Sequence, residues 1–175
     1  MPPDIEVRSP DREDRIADPG GETRRAGPLR ALLPLIALLG TTTFFYTARL
    51  ANIDLWAPDE PRYAAIAEEL RTGRHGAGGL LLLHLNDEPY SQKPPLYFWL
   101  TSLTFGLVGP SEWATRLWSA LEALGTVLLT WRIGRRLYGA RAGLLAGLVL
   151  ATMVGNALYV RKASTDQLFV FCLTL

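Results

Sequence analysis

The sequence predicts an all-α protein, a polytopic membrane helix bundle with external juxtamembrane helices. Two observations carry that reading. Three long segments are almost free of charge, and the charged residues gather in an N-terminal tail and in the loops between those segments. The averages hide this pattern. Over 175 residues the formal net charge is +1 and 49% of residues are hydrophobic, with a mean hydropathy of +0.12, which on their own describe a small neutral globule. The near-zero charge argues against nucleic acid as a partner. One cysteine, Cys172, excludes an internal disulfide framework.

Residues 1–27 hold seven acidic residues and five arginines with hardly any large apolar side chain. Such a segment buries too little surface to offset its ordering entropy and is expected to be a disordered cytoplasmic tail. It lacks the short basic lead into an apolar core that marks a signal peptide. From residue 28 onward the composition changes, and residues 28–175 are expected to form one transmembrane unit.

The expected spans are residues 29–50, 113–133 and 142–160, with a further span starting at 167–175. The first three approach the ~20 residues that cross a ~30 Å hydrocarbon core as a helix. Buried helices of a soluble bundle are the competing account, and three such segments in so short a chain favour the membrane. Arg116 and Glu122 are the only charges inside the second segment's apolar body. A fourth apolar run, Pro94–Val108, has 15 residues and covers only about 22 Å as a helix. Arg132, Arg135, Arg136 and Arg141 form the densest basic loop, which the positive-inside rule assigns to the cytoplasm. Arg24, Arg25 and Arg30 assign the tail to the same side. An even number of crossings must separate the two, so Pro94–Val108 is expected to lie at the outer interface, where Tyr97, Phe98 and Trp99 suit it. Residues 51–111 are then external, and so is 161–166.

Three features of that external side carry chemistry. Asp59 and Glu60, with Pro61, open an amphipathic stretch that ends near Gly73. Carboxylates there favour the positive end of a helix and serve as a cap, while an acidic pair at a membrane surface can also accept a proton or hold a cation. Lys93, one of two lysines, precedes Pro94 and Pro95, and the proline keeps its backbone extended. It either snorkels into headgroups or offers a point charge to a phosphate. Arg161 and Lys162 oppose the positive-inside rule on an external segment and call for an anion. Asp166 enters the last apolar run, where it or Thr165 could cap a helix. Two carboxylate sites and several cations suggest a cleft for an anionic lipid phosphate.

The stretches PDEPRYAAIAEEL, LNDEPYSQKPPLYFWL and SEWATRLWSAL, with Arg161, Ala163 and Asp166, resemble the N-terminal third of bacterial GT-C glycosyltransferases. The nearest family is the aminoarabinose (lipid A) transferases and their dolichyl-phosphate-mannose protein mannosyltransferase relatives. The resemblance covers residues 29–175 and implies a GT-C membrane bundle in the inner (plasma) membrane. It implies an inverting enzyme that takes a sugar from a polyprenyl-phosphate donor and passes it to a lipid, protein or glycan acceptor on the outer face. It also implies that Asp59 is the catalytic carboxylate with Glu60 beside it, and Asp166 the second carboxylate. Lys93 would then bind the donor phosphate, helped by Arg62, Tyr90 and Arg161. Gln92 stands where relatives often carry an acidic residue before the lysine, so a metal contact there is in question, and the cofactor assignment stays open with a divalent cation as one option. The loop at 73–86 is longer and more apolar than its counterparts, and His75 and His84 read as loop residues without spaced partners. Such enzymes are several times longer, so the chain is expected to be a fragment. A non-catalytic membrane module binding a polyprenyl-phosphate lipid is the alternative, and a transporter ranks last because only Arg116 and Glu122 lie inside a span.

Overall fold

The computed structural model describes residues 28–175, apart from 49, 53 and 57. The expected disordered tail, 1–27, lies outside the described residues. Helix α1 (Pro28–Thr47) leads through a loop to α2 (Asp59–Thr72), then a short turn α3 (Gly78–Leu81) and a hairpin, β1 (Leu83–Leu85) and β2 (Glu88–Tyr90). There follow α4 (Leu96–Val108), α5 (Glu112–Tyr138), α6 (Ala140–Thr152), α7 (Val154–Val160) and α8 (Thr165–Thr174). The architecture is helical as expected, with one small hairpin that alternation did not announce. Its strands are antiparallel with Leu83 opposite Tyr90. The turn between them is Asn86-Asp87 with φ of 55° and 65°, the left-handed pair that short polar side chains tolerate and that tight hairpins need.

α5 is the spine. Its 27 residues span about 40 Å at 1.5 Å each, and α1, α4, α6, α7 and α8 all pack on it. Ser111 starts the helix by accepting the Ala114 N–H, a side-chain cap of the usual kind. Its most extensive neighbour is α6, reached through Gly139. Gly143 makes the approach possible, because a Cβ there would lie 2.5 Å from the Arg135 nitrogen and 2.6 Å from the Trp131 carbonyl. Small residues at helix crossings serve this purpose in membrane bundles.

The apolar segment 142–160 is expected as one span and is found as two helices. α6 and α7 bend by 60° at Met153. The freed backbone groups find partners: Asn156 Nδ2 donates to the Leu150 carbonyl at 3.2 Å and to the Tyr46 hydroxyl, which itself donates to the Ala151 carbonyl. A helix break at membrane depth is tolerated where neighbours satisfy the backbone in this way. Among the described residues no single helix is long and apolar enough to cross a membrane, whereas the bent pair α6–α7 is by length and composition. Large apolar side chains nonetheless stand exposed along the helices, among them Phe44, Leu107, Val149, Leu158 and Leu173.

The loop side of the bundle has its own core. Tyr63, Ile66, Leu83, Tyr90, Tyr97, Phe98, Ala163 and Leu168 are buried together. Tyr63 and Phe98 meet edge to face, with ring centres 5.4 Å apart, the geometry that aromatic quadrupoles favour. Tyr97 donates to the Thr115 carbonyl at 2.6 Å and Trp118 to the Leu100 carbonyl at 2.9 Å. The two hydrogen bonds fix α4 on α5, and the aromatic contact fixes α2 on α4.

Candidate functional site

The loop before α2 turns into the helix at Pro58, which provides no side-chain cap. Asp59 sits in the first turn, 60% exposed and 3.7 Å from Arg62. Glu60, the next residue, points the other way into the protein. α2 buries Glu60, Tyr63, Ile66 and Ala67, one helical face, so the adjacent acidic residues are necessarily separated.

Glu60 is a junction. Its Oε1 accepts from Arg116 Nε at 2.9 Å and from the Ala163 backbone N–H at 2.6 Å. Its Oε2 accepts from Arg116 Nη2 at 2.7 Å and from the Trp56 N–H. Arg116 also donates to the carbonyls of Leu50 and Asp54. Burial alone would raise the Glu60 pKa, but the hydrogen bonds from Arg116, Trp56 and Ala163 and the guanidinium charge outweigh it and hold the carboxyl below its ordinary range. The expectation of Glu60 as a reacting group beside Asp59 therefore meets a physical obstacle: both oxygens are already committed, and the residue positions the wall of the cleft.

Lys93 leaves the hairpin just before Pro94 and reaches Asp166 at 3.1 Å. The hydrogen bond to Asp166 exceeds the effect of partial burial, and the ammonium is held above its ordinary value. Ser164, not Asp166 or Thr165, caps α8, accepting the Asp166 N–H. Asp166 is thereby released from capping and faces Lys93. Lys162 lies 4.4 Å over the Trp56 ring, a cation–π contact. Burial pushes the Tyr63 phenol up, so it stays protonated in the wall.

One cavity of about 380 Å³ gathers these groups, with Asp59, Arg62, Tyr63, Tyr90, Lys93, Lys162 and Asp166 on its lining. Of the residues expected in the site, Asp59, Arg62, Tyr90, Lys93 and Asp166 come together. Arg161 does not; it donates to the Phe45 carbonyl at 3.2 Å and borders a separate apolar cavity against α1 and α6. Lys162 stands in the place expected of Arg161. With Glu60 neutralised by Arg116, three cations face two exposed carboxylates, an arrangement that receives an anion. Arg116 is the participant missed in the sequence, although a lone arginine in an apolar stretch signals a buried carboxylate elsewhere.

Known proteins resemble this chain in fold and, over most of its length, in sequence. The model of the dolichyl-phosphate-mannose-protein mannosyltransferase family matches residues 92–175. An undecaprenyl phosphate-alpha-4-amino-4-deoxy-L-arabinose arabinosyl transferase of Pseudomonas fluorescens is 33% identical over 148 residues, which is 83% of this chain and 26% of that protein. A Pseudomonas aeruginosa protein of the same name is 30% identical over 132 residues, 75% of this chain and 23% of that one. The crystal structure of ArnT from Cupriavidus metallidurans bound to undecaprenyl phosphate superposes with a TM-score of 0.73 at 26% identity, covering 82% of this chain and 26% of that chain. Its apo state gives a TM-score of 0.74. The fold and these matches are those of the GT-C class of helical membrane proteins. Within that class the matches support an aminoarabinose transferase-like family, whose members are multi-pass proteins of the inner membrane. The chain spans about a quarter of the length of the curated relatives it matches.

Proposed function

We propose that the chain carries the donor side of the cleft of an inverting glycosyltransferase that uses a polyprenyl-phosphate-linked sugar. The observation that supports this most is the single cavity in which Lys93, Arg62 and Lys162 stand with Asp59 and Asp166. The cations receive the donor phosphate, a leaving group whose negative charge grows as the sugar departs. The bond between the anomeric carbon and the phosphate oxygen breaks, the acceptor oxygen or nitrogen bonds to that carbon from the opposite face, and Asp59 takes the acceptor's proton. Asp166 holds the Lys93 ammonium in place. The chain lies in the inner membrane with its N-terminus cytoplasmic and this cleft on the outer face, a topology that the distribution of basic loops supports. The undecaprenyl phosphate bound to ArnT from Cupriavidus metallidurans supports a lipid phosphate of that class.

A second reading is a non-catalytic module that binds the lipid and performs no transfer, since the cations on the cavity lining serve binding whether or not transfer follows. The detergent-purified chain, titrated with undecaprenyl phosphate, tests the shared part. Saturable binding that weakens at least about tenfold in Lys93→Ala is expected, given the ~1.5–3 kcal/mol of a charge-assisted hydrogen bond. Equal affinity in that variant overturns the site. Release of sugar from a polyprenyl-phosphate sugar, lost in Asp59→Asn with binding retained, then selects the enzyme over the module.

A further inference from the structure

At the far end of α2 from the cleft, the structure assembles a second polar cluster. The loop after Gly73 folds back so that His75 Nε2 lies 3.7 Å from Glu69 Oε2 and 3.4 Å from Asp87 Oδ1. The three ligand atoms are all within 4.8 Å of one another. They come from three different pieces of chain: the last turns of α2, the loop that follows and the hairpin turn. The left-handed Asn86-Asp87 turn is what presents Asp87 to the other two.

The details are those of a site prepared for a ligand. Glu69 divides its oxygens: Oε1 accepts the Asn86 N–H at 2.6 Å, while Oε2 is buried and without a hydrogen-bond partner. His75 Nε2 is likewise buried without a hydrogen-bond partner. The ring of His75 is held flat by His84, stacked at 3.7 Å with 13° between planes. Beside Glu69 and His75 is a void of about 10 Å³, which His84 and three glycines also line. That is room for about one water-sized occupant. Arg74 approaches Asp87 at 3.6 Å from the exposed side and shares its charge.

We propose that Glu69, His75 and Asp87 form a zinc site that clamps the loop at 73–87 to the end of α2. Zinc takes imidazole nitrogen and carboxylate oxygen at about 2.0–2.2 Å in a tetrahedron. The ligand atoms of such a tetrahedron are then about 3.4 Å apart, close to the 3.4 and 3.7 Å found here. Three protein ligands leave one position for water. The site is separate from the donor cleft in composition, sharing no ligand with it. Its structural consequence is to hold the hairpin whose second strand delivers Tyr90 to that cleft. The expectation that His75 and His84 are plain loop residues came from their lack of sequence-spaced partners; the fold supplies the partners from 6 residues before and 12 after His75.

The test uses the untagged full chain in detergent, stripped with a chelator and titrated with zinc alone against a chromophoric competitor. One zinc per chain at micromolar affinity or tighter is expected, with cobalt giving the intense visible absorption of a tetrahedral site. His75→Gln should abolish both signals, and Glu69→Gln and Asp87→Asn should weaken zinc at least about tenfold. An Asp59→Asn/Asp166→Asn protein should still bind one zinc. Absence of stoichiometric zinc in the unaltered chain overturns the proposal, as does full binding in Glu69→Gln and Asp87→Asn or loss in the Asp59/Asp166 variant. The unaltered chain and the two conservative variants decide the matter even where His75→Gln fails to fold.

Discussion

Glu60 and Arg116 stand 56 residues apart in sequence and meet as a two-pronged ion pair, Oε2 to Nη2 at 2.7 Å, with side chains only 3% and 4% exposed. Removing one partner leaves an uncompensated buried charge, at a cost of about 3–5 kcal/mol. Arg116→Met and Glu60→Gln should each lower the melting temperature of the detergent-purified chain by roughly 10 °C, at about 2–4 °C per kcal/mol for a chain of this size. The double variant should lose much less than the sum of the two. Additive losses would mean that the pair does not couple α2 to α5.

The same pair sets an acid limit. Glu60 has a folded-state pKa below its ordinary 4.5, so the unfolded chain binds the proton more readily. Its stabilising contribution is complete above about pH 4.5 and fades as pH falls through the lower folded value. Thermal melts of the unaltered chain should fall steeply below that point, and Glu60→Gln should show a flatter acid limb. Parallel acid limbs in the two proteins would contradict this.

Lys93 and Asp166 behave differently because solvent reaches them, Asp166 being 72% exposed. An exposed pair contributes at most about 1 kcal/mol. Asp166→Asn should therefore shift the melting temperature by only a few degrees while loosening Lys93 and reducing undecaprenyl phosphate affinity several-fold. A large stability loss with unchanged lipid affinity would reassign Asp166 to folding alone.

The apolar helices and the ends of the cleft were legible in the sequence because each has a local signature. Hydropathy marks α1, α4 and the body of α5, and Pro61 and Pro94 mark the bends where Asp59 and Lys93 emerge. What stayed hidden depends on distant partners. The break at Met153 lies in a run with no proline, and its carbonyls are satisfied by Asn156 and by Tyr46 from α1. Glu60 differs from Asp59 only by which face of α2 it occupies. Arg161 and Lys162 are neighbours in a loop, where no periodicity says which one turns toward the cleft.

The difference between Arg161 and Lys162 is open to direct test. Lys162 lines the cleft and rests on Trp56, while Arg161 donates to the Phe45 carbonyl beside another cavity. Lys162→Ala should weaken undecaprenyl phosphate binding about tenfold and make it less sensitive to salt, since one phosphate-facing cation is lost. Arg161→Ala should leave that affinity within about twofold and act on the packing around α1, read as a small drop in melting temperature. The reverse pattern would place Arg161, and not Lys162, at the lipid phosphate.

The crossing of α5 and α6 supports the whole arrangement. Gly143 meets the backbone of Arg135 and Trp131, where a Cβ would approach to 2.5 Å, and backbone cannot step aside as a flexible side chain does. Gly143→Ala should force α6 away from α5 and cost about 1–3 kcal/mol. Gly155, with nothing within 4 Å of its would-be Cβ, is the matched control: Gly155→Ala in α7 should be neutral or mildly stabilising, since alanine favours the helix by up to about 1 kcal/mol. Thermal unfolding of the two variants side by side measures the difference. Equal melting temperatures would show that α5 and α6 can part without loss, and that their close contact does not hold the bundle together.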